Sequence, residues 1–385
     1  MTYGNIDKFN QNDFEDINTL ESAKKIIQTS INKVNLDLSD LTILTEAATG
    51  HWIYTPFIAA FANASSIICV TRDSKYGKSK EIVKNFMNIS QYFGFQNKIR
   101  VYDNLSSELI QQADIVTNSG LVRPIDKKFI NSMKKSAVIS LMWEPWEFRE
   151  SDIDIKTCWK NDISILGVNE TNELMNCMDC AGDLILQILK INNLSIKNKN
   201  VIFVAENKSA FYIIESLLSA GVASLVCVSE IFDKQLREKG IKVISSRLSD
   251  SSVEPFLKEC DFIIIDSIPI KNKIIGGDGL KISKLKEISP KLKIIVYFGS
   301  VDYLELKKSG FECYPEQNPG DQHMGWTADL LGSKIIIESN TLGLKVGEIL
   351  SRLRLKGLSS RAAELEAVKN PLCLDFSEDQ RKKYS

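Results

Sequence analysis

The chain has 385 residues, 44% hydrophobic and 25% charged, which is average globular composition in a length too great for one ordinary core, so two domains are expected. Its 48 Lys and Arg against 49 Asp and Glu leave a net charge of −1, and that provides no single-sign field to gather nucleic acid or an anionic membrane. The opening MTYGNIDKFNQNDFEDINTL has no basic stretch followed by an apolar core, and no run reaches the roughly 18–20 apolar residues of a membrane span, so a cytoplasmic chain is expected.

Short β-branched runs alternate with stretches of helical period, the pattern of a parallel sheet with crossover helices. In chain order the first half offers strands at Leu41–Thr45, Ser66–Thr71, Ile99–Tyr102, Asp114–Thr117, Ala137–Met142 and Ile163–Gly167. A long amphipathic helix is expected over Thr171–Lys190. Strands then recur at Asn200–Val204, Ser224–Val228, Lys242–Ser245, Asp261–Asp266, Lys293–Phe298 and Phe311–Tyr314. The halves correspond in pieces: ADIVTNSG (113–120) with CDFIIIDS (260–267), and LTILTEA (41–47) with NVIFVAE (200–206). The expected fold class is α/β, with two Rossmann-like doubly wound parallel-sheet domains facing across a cleft. The expected boundaries are 1–170, a connecting helix 171–195, a second domain 196–335, and 336–385 as a helix (Gly343–Leu355) and tail packing back on the first domain. The closing DQRKKYS is charged and reads as frayed.

Eight cysteines are scattered, several inside apolar runs where a thiol behaves as a small hydrophobe. Cys177 and Cys180 form a CxxC in a helical stretch, but no second pair completes a four-cysteine zinc site, so no metal centre is expected. A redox role for that pair stays open beside the reading of inert thiols.

In open parallel sheets ligands bind beyond the carboxyl ends of the strands, so the strand ends are the candidate site. The first half carries Glu46-Ala47-Ala48-Thr49-Gly50-His51-Trp52, Arg72-Asp73, Asn118-Ser119-Gly120, Arg123, the run Trp143 to Arg149, and Asn169-Glu170. His51 and His323, the only histidines, are the candidates for proton transfer near neutral pH. Glu144 and Glu147 would supply acid or base groups, and Arg149 or Arg123 would clamp an anionic substrate. The indoles Trp143 and Trp146 would stack on a planar ring or sugar, with Glu46, Trp52, Asn169 and Glu170 as further substrate contacts. The bland alternative is that the indoles are packing and the charges pair with one another. For a cofactor, Gly50, Arg72, Asp73, Asn118, Ser119 and Gly120 are the candidates. Asp73 follows the second strand, where an acid binds ribose or merely caps a helix; Glu230 holds the like place in the second half. Lys208 and Ser209 would meet a phosphate or form a plain turn. Neither half has the GxGxxG of a dinucleotide turn.

One stretch, Ala113–Ile155, with ADIVTNSG, SMKK, SAVISLM and WEFRESDID, resembles the later part of the nicotinamide-binding domain of adenosylhomocysteinases and the related D-2-hydroxyacid dehydrogenases. The resemblance implies a two-domain fold, NAD or NADP as cofactor, and a loop at Asn118-Ser119-Gly120 near the nicotinamide and ribose. The expected function is a small-molecule metabolic enzyme resembling NAD(P)-dependent oxidoreductases, with a homodimer compatible. Two alternatives are a non-redox transferase or lyase acting on a nucleotide-linked substrate, and a catalytically silent partner protein.

Overall fold

The computed structural model describes residues 17–74, 76–267, 273–320 and 324–384. The described chain divides into two compact units. One is discontinuous, made of 17–177 and 332–384; the other is continuous, Met178–Leu331.

The discontinuous unit holds β1 (Thr42–Glu46), β2 (Ser66–Val70), β3 (Ile99–Tyr102), β4 (Ile115–Thr117), β5 (Val138–Ser140) and β6 (Ser164–Val168). The continuous unit holds β7 (Asn200–Glu206), β8 (Ser224–Val228), β9 (Val243–Ile244), β10 (Phe262–Ser267), β11 (Lys293–Phe298) and β12 (Glu312–Tyr314). A thirteenth strand, β13 (Cys373–Leu374), returns to the first sheet. The orders are β3-β2-β1-β4-β5-β6-β13 and β9-β8-β7-β10-β11-β12, parallel throughout except for β13, which pairs antiparallel with β6. Each is thus the doubly wound order that reverses once, between β1 and β4 and between β7 and β10, and the crevice of such a sheet opens at that reversal. The fold is α/β, as the alternation of elements requires.

Strands covered on both faces read as continuous apolar runs rather than as an alternation. Accordingly Leu44, Ile68, Val116, Ile139 and Ile165 lie in one core, and Ile202, Val204, Ile263, Ile265 and Ile294 in the other. The helix Ser333–Leu355 packs on the first sheet. It sits close because two glycines face the strands: a Cβ on Gly343 would come 2.6 Å from Met142 Sδ, and one on Gly347 2.7 Å from Ile115 Cγ2. Ser140 Oγ donates to the Gly343 carbonyl beneath it.

Three sequence expectations need correction. The helix expected over Thr171–Lys190 begins only at Cys180. Asn172 explains the delay: its amide donates to the Asn169 and Met175 carbonyls and its oxygen accepts the Met175 N–H, a local pattern that competes with helix. The last long helix starts at Ser333 rather than Gly343, because Ile335, Ile336 and Ile337 are all buried and give no amphipathic period. The tail is not frayed: Glu378–Tyr384 is helical, with Arg381 bonded to Asp375 and to the buried Glu364 (2.7 Å) and Tyr384 buried. Arg381 is held in sheltered pairs, while Lys382 and Lys383 pair with Glu378 and Glu150 at the surface. Among the described residues no helix is long and apolar enough to cross a membrane.

Candidate active site

Glu46 ends β1 at the reversal of the first sheet, and it is only 7% exposed. Its carboxylate accepts the Leu121 N–H at 2.7 Å. Burial raises its pKa, opposed by that N–H and by the charges of Arg123 and Arg72. Between Glu46 and Arg123 lies Gly120, where a Cβ would stand 3.6 Å from both Glu46 Oε2 and Arg123 Nη2. An acid and a guanidinium therefore flank a bare backbone. The loop is braced from below by Thr117, whose hydroxyl meets Thr45 at 2.9 Å and Ser119 at 2.8 Å.

Arg123 pairs with Asp152 through Nη1, and Arg149 reaches the same carboxylate at 3.5 Å. Arg72 donates to the Arg123 carbonyl at 2.8 Å. Arg123 also lies over the Trp143 ring, 5.0 Å from its centroid. Two guanidinium groups thus share one carboxylate, and a third is tied to the same loop.

Asn118, fully buried, uses its oxygen to accept the Met142 N–H at 2.9 Å, while its Nδ2 has no acceptor among the described residues. Arg123 Nε and Trp143 Nε1 are likewise buried and unaccepted. A buried donor left so costs about 1–3 kcal/mol unless a water or a ligand supplies the acceptor. All three lie on the segments that follow β4 and β5.

One strand over, Glu144 is 2% exposed and accepts Trp146 Nε1 at 2.7 Å and the Glu170 N–H at 3.3 Å. The 3-10 turn Pro145–Glu147 folds Glu147 back, its N–H on the Glu144 carbonyl at 3.1 Å. Gly167 on β6 makes room for this turn, since a Cβ there would stand 2.6 Å from Pro145 Cδ. Burial, then the negative charge of Glu144, pushes the Glu147 carboxyl up to about 8, against the charge of Arg149. A carboxyl so placed carries a proton near neutral pH.

The structure gathers Glu46, Arg72, Asn118, Ser119, Gly120, Arg123, Trp143 and Arg149 around adjoining strand ends, with Glu144, Glu147 and Glu170 beside them. Gly50, in the left-handed region at φ 59°, opens a 3-10 turn carrying the half-buried His51 and the exposed Trp52. Asp73 takes the cap reading: it accepts the Ser79 N–H and Oγ at 2.9 Å and pairs with Lys78, and these bonds, the Ser79 N–H foremost, pull its pKa to about 2. Asn169 is spent on Thr171 and on the Pro371 carbonyl (2.9 Å). Glu230 pairs with Arg247 at 3.6 Å. His323 lies outside the described residues. Sequence reading missed Asp152, Thr45 and Thr117; only the spacing of Asp152 three residues after Arg149 signals its pairing.

For a dinucleotide the fit is poor in both units. After β1 the turn has one glycine, a 3-10 turn and a helix of only seven residues, with the Glu46 carboxylate behind it. After β7 the turn is Asn207-Lys208-Ser209, bonded to Asp266. Neither is the glycine-built cradle through which backbone N–H groups approach a pyrophosphate.

No protein-family model and no curated protein matches the sequence. Among solved structures, the dipicolinate synthase A chain from Bacillus halodurans is similar at 13% identity and a TM-score of 0.50, covering 83% of this chain and 99% of that one. A putative D-3-phosphoglycerate dehydrogenase from Ralstonia solanacearum is similar at 10% identity and a TM-score of 0.45, covering 83% and 95%. D-mandelate dehydrogenase of Rhodotorula graminis is similar at 11% identity and a TM-score of 0.42, covering 75% and 95%. The likeness is one of fold. The chain has two doubly wound parallel sheets, and it shares its fold with the dipicolinate synthase chain.

Proposed function

We propose that the chain is an enzyme of small-molecule metabolism that performs proton-transfer chemistry on an anionic, acceptor-rich substrate at the β1/β4 crevice of the discontinuous unit. The observation that carries this reading is the trio of buried, unaccepted donors: Asn118 Nδ2, Arg123 Nε and Trp143 Nε1. A carboxylate or oxo group would satisfy them and meet the guanidinium of Arg123. Glu46, its pKa raised by burial, would give or take a proton beside the Gly120 backbone, and Glu147 is a second proton carrier one strand away. His51 joins the candidates as the described histidine of this unit.

The test is a melting-temperature screen of small mono- and dicarboxylates, dipicolinate among them, on the intact chain. A stabilising ligand should lose at least tenfold in affinity in Arg123→Ala, and turnover should fall in Glu46→Gln with binding retained.

A nicotinamide-dependent oxidoreductase is the second reading, and the resemblance of Ala113–Ile155 to nicotinamide-binding domains favours it. It needs a dinucleotide in one of two turns that fit it poorly. Calorimetry with the four nicotinamide nucleotides, with and without the carboxylate found above, decides between them: heat with any of the four would move the chain to the redox reading.

A further inference from the structure

The two sheets share one strand order, yet their reversal points differ in chemistry. Among the described residues, buried donors at β1/β4 are left without acceptors, whereas at β7/β10 the polar side chains are engaged across the crevice. Asp266, near the end of β10 and fully buried, accepts Ser209 Oγ and, at 3.2 Å, Asn207 Nδ2. Those donors are polar side chains of the β7 turn, and Ser209 directly precedes the ten-residue helix Ala210–Ser219. The Asn207 oxygen is taken as well, by the Lys208 N–H at 2.7 Å. A third bond runs in the opposite sense, from Ser267 Oγ on β10 to the Glu206 carboxylate on β7. Strand β10 is therefore tied to β7 and the turn after it by three side-chain bonds, beyond the ladder, at the point where a doubly wound sheet parts to admit a ligand.

A helix start attracts an anion because its first N–H groups are unpaired and its dipole is positive there. In this unit the Ala210 and Tyr212 N–H groups are already taken by the Asn207 and Ser209 carbonyls, at 3.1 Å each, and the side chains of the same two residues are held by Asp266. A pyrophosphate approaching the same turn would meet the acids Asp266 and Glu206 beside the Lys208 ammonium, and would have to break the bonds to Asn207 and Ser209. The turn offers no glycine through which to come closer. Burial pushes the Asp266 carboxyl up to about 7, so the repulsion is strongest above neutrality.

We propose that the β7/β10 crevice of the continuous unit is latched shut by its own carboxylates, Asp266 holding the Asn207 and Ser209 side chains just before the helix Ala210–Ser219, so that this unit holds no dinucleotide. Its role is then to complete the fold, and the chemistry is left to the other unit.

The test uses the intact chain with sodium formate, inorganic pyrophosphate and NADH as probes, following melting temperature and heat of binding. For wild type the latch predicts no shift with pyrophosphate or NADH at about 10 mM that depends on Ser209, since a ligand near its dissociation constant already stabilises measurably. Asp266→Ala, which leaves the Ser209 and Asn207 donors open, should melt lower and regain most of the loss with formate or pyrophosphate, beyond any shift these give wild type. NADH or pyrophosphate binding by wild type that Ser209→Ala abolishes would overturn the proposal, and this arm decides even if Asp266→Ala does not fold. NADH binding that Ser209→Ala leaves unchanged would place the nucleotide elsewhere and uphold the latch. Failure of the carboxylate screen on Arg123→Ala concerns the other unit alone and leaves these outcomes readable.

Discussion

Buried acids set the chemistry at the residue scale. Glu147 has an ordinary carboxyl value of 4.5 when unfolded and about 8 when folded, so the folded state holds the proton more tightly. The stability this contributes is complete below about 4.5 and is lost as the pH rises through 8. Glu147→Gln, which keeps the shape and removes the charge, should match wild type in melting temperature near pH 4 and exceed it by a few degrees near pH 9. A constant difference at both pH values would contradict the protonated carboxyl. The residue types of this cluster were legible in sequence: two glutamates, two indoles and an arginine directly after an apolar strand pointed to a site. Their division of labour was not. That Glu144 is fixed by the Trp146 indole and the Glu170 N–H, whereas Glu147 is left to titrate, depends on β6 lying next to β5, which spacing along the chain does not contain.

Among the elements, close approach between helix and sheet is what glycine secures. Gly347 lies within the buried face of Ser333–Leu355, where alanine would raise helix propensity by about 1 kcal/mol on an open helix. Here its methyl would stand 2.7 Å from Ile115 Cγ2 and 3.2 Å from Ser140 Cβ. Gly347→Ala is therefore expected to lose about 1–2 kcal/mol instead, by denaturant melts, and a gain would show that the helix has room to move off the sheet. Gly167→Ala should cost at least as much, because its methyl would meet Pro145 and the Trp143 carbonyl, and it should also disturb the titration of Glu147. The strands themselves were readable because β-branched runs bounded by turns carry their own signal. The elements that failed were those decided by side-chain bonds or by burial all round: the Asn172 turn, the apolar start of the last helix, and the tail helix tied down by Arg381.

For the whole molecule, two sheets of the same strand order have come to differ at the one position where that order makes a crevice. Sequence alone showed that both lack a glycine turn, but not what replaced it. The replacements lie far apart in the chain, Glu46 against Leu121 and Arg123, Asp266 against Asn207 and Ser209, and only the fold brings them together. The ligand accordingly belongs to the discontinuous unit on this reading, and substitutions at Arg123 and Asn118 should act on binding. Asn118→Ala should weaken a carboxylate ligand while costing stability through the lost acceptor for the Met142 N–H.

The most direct measurement is a calorimetric titration of the intact chain and of Arg123→Ala with the carboxylate that most raises the melting temperature. Binding by wild type, weakened at least tenfold by Arg123→Ala and unaffected by Ser209→Ala, is the predicted result. Equal affinity in wild type and Arg123→Ala would contradict the assignment of the anionic substrate to the β1/β4 crevice.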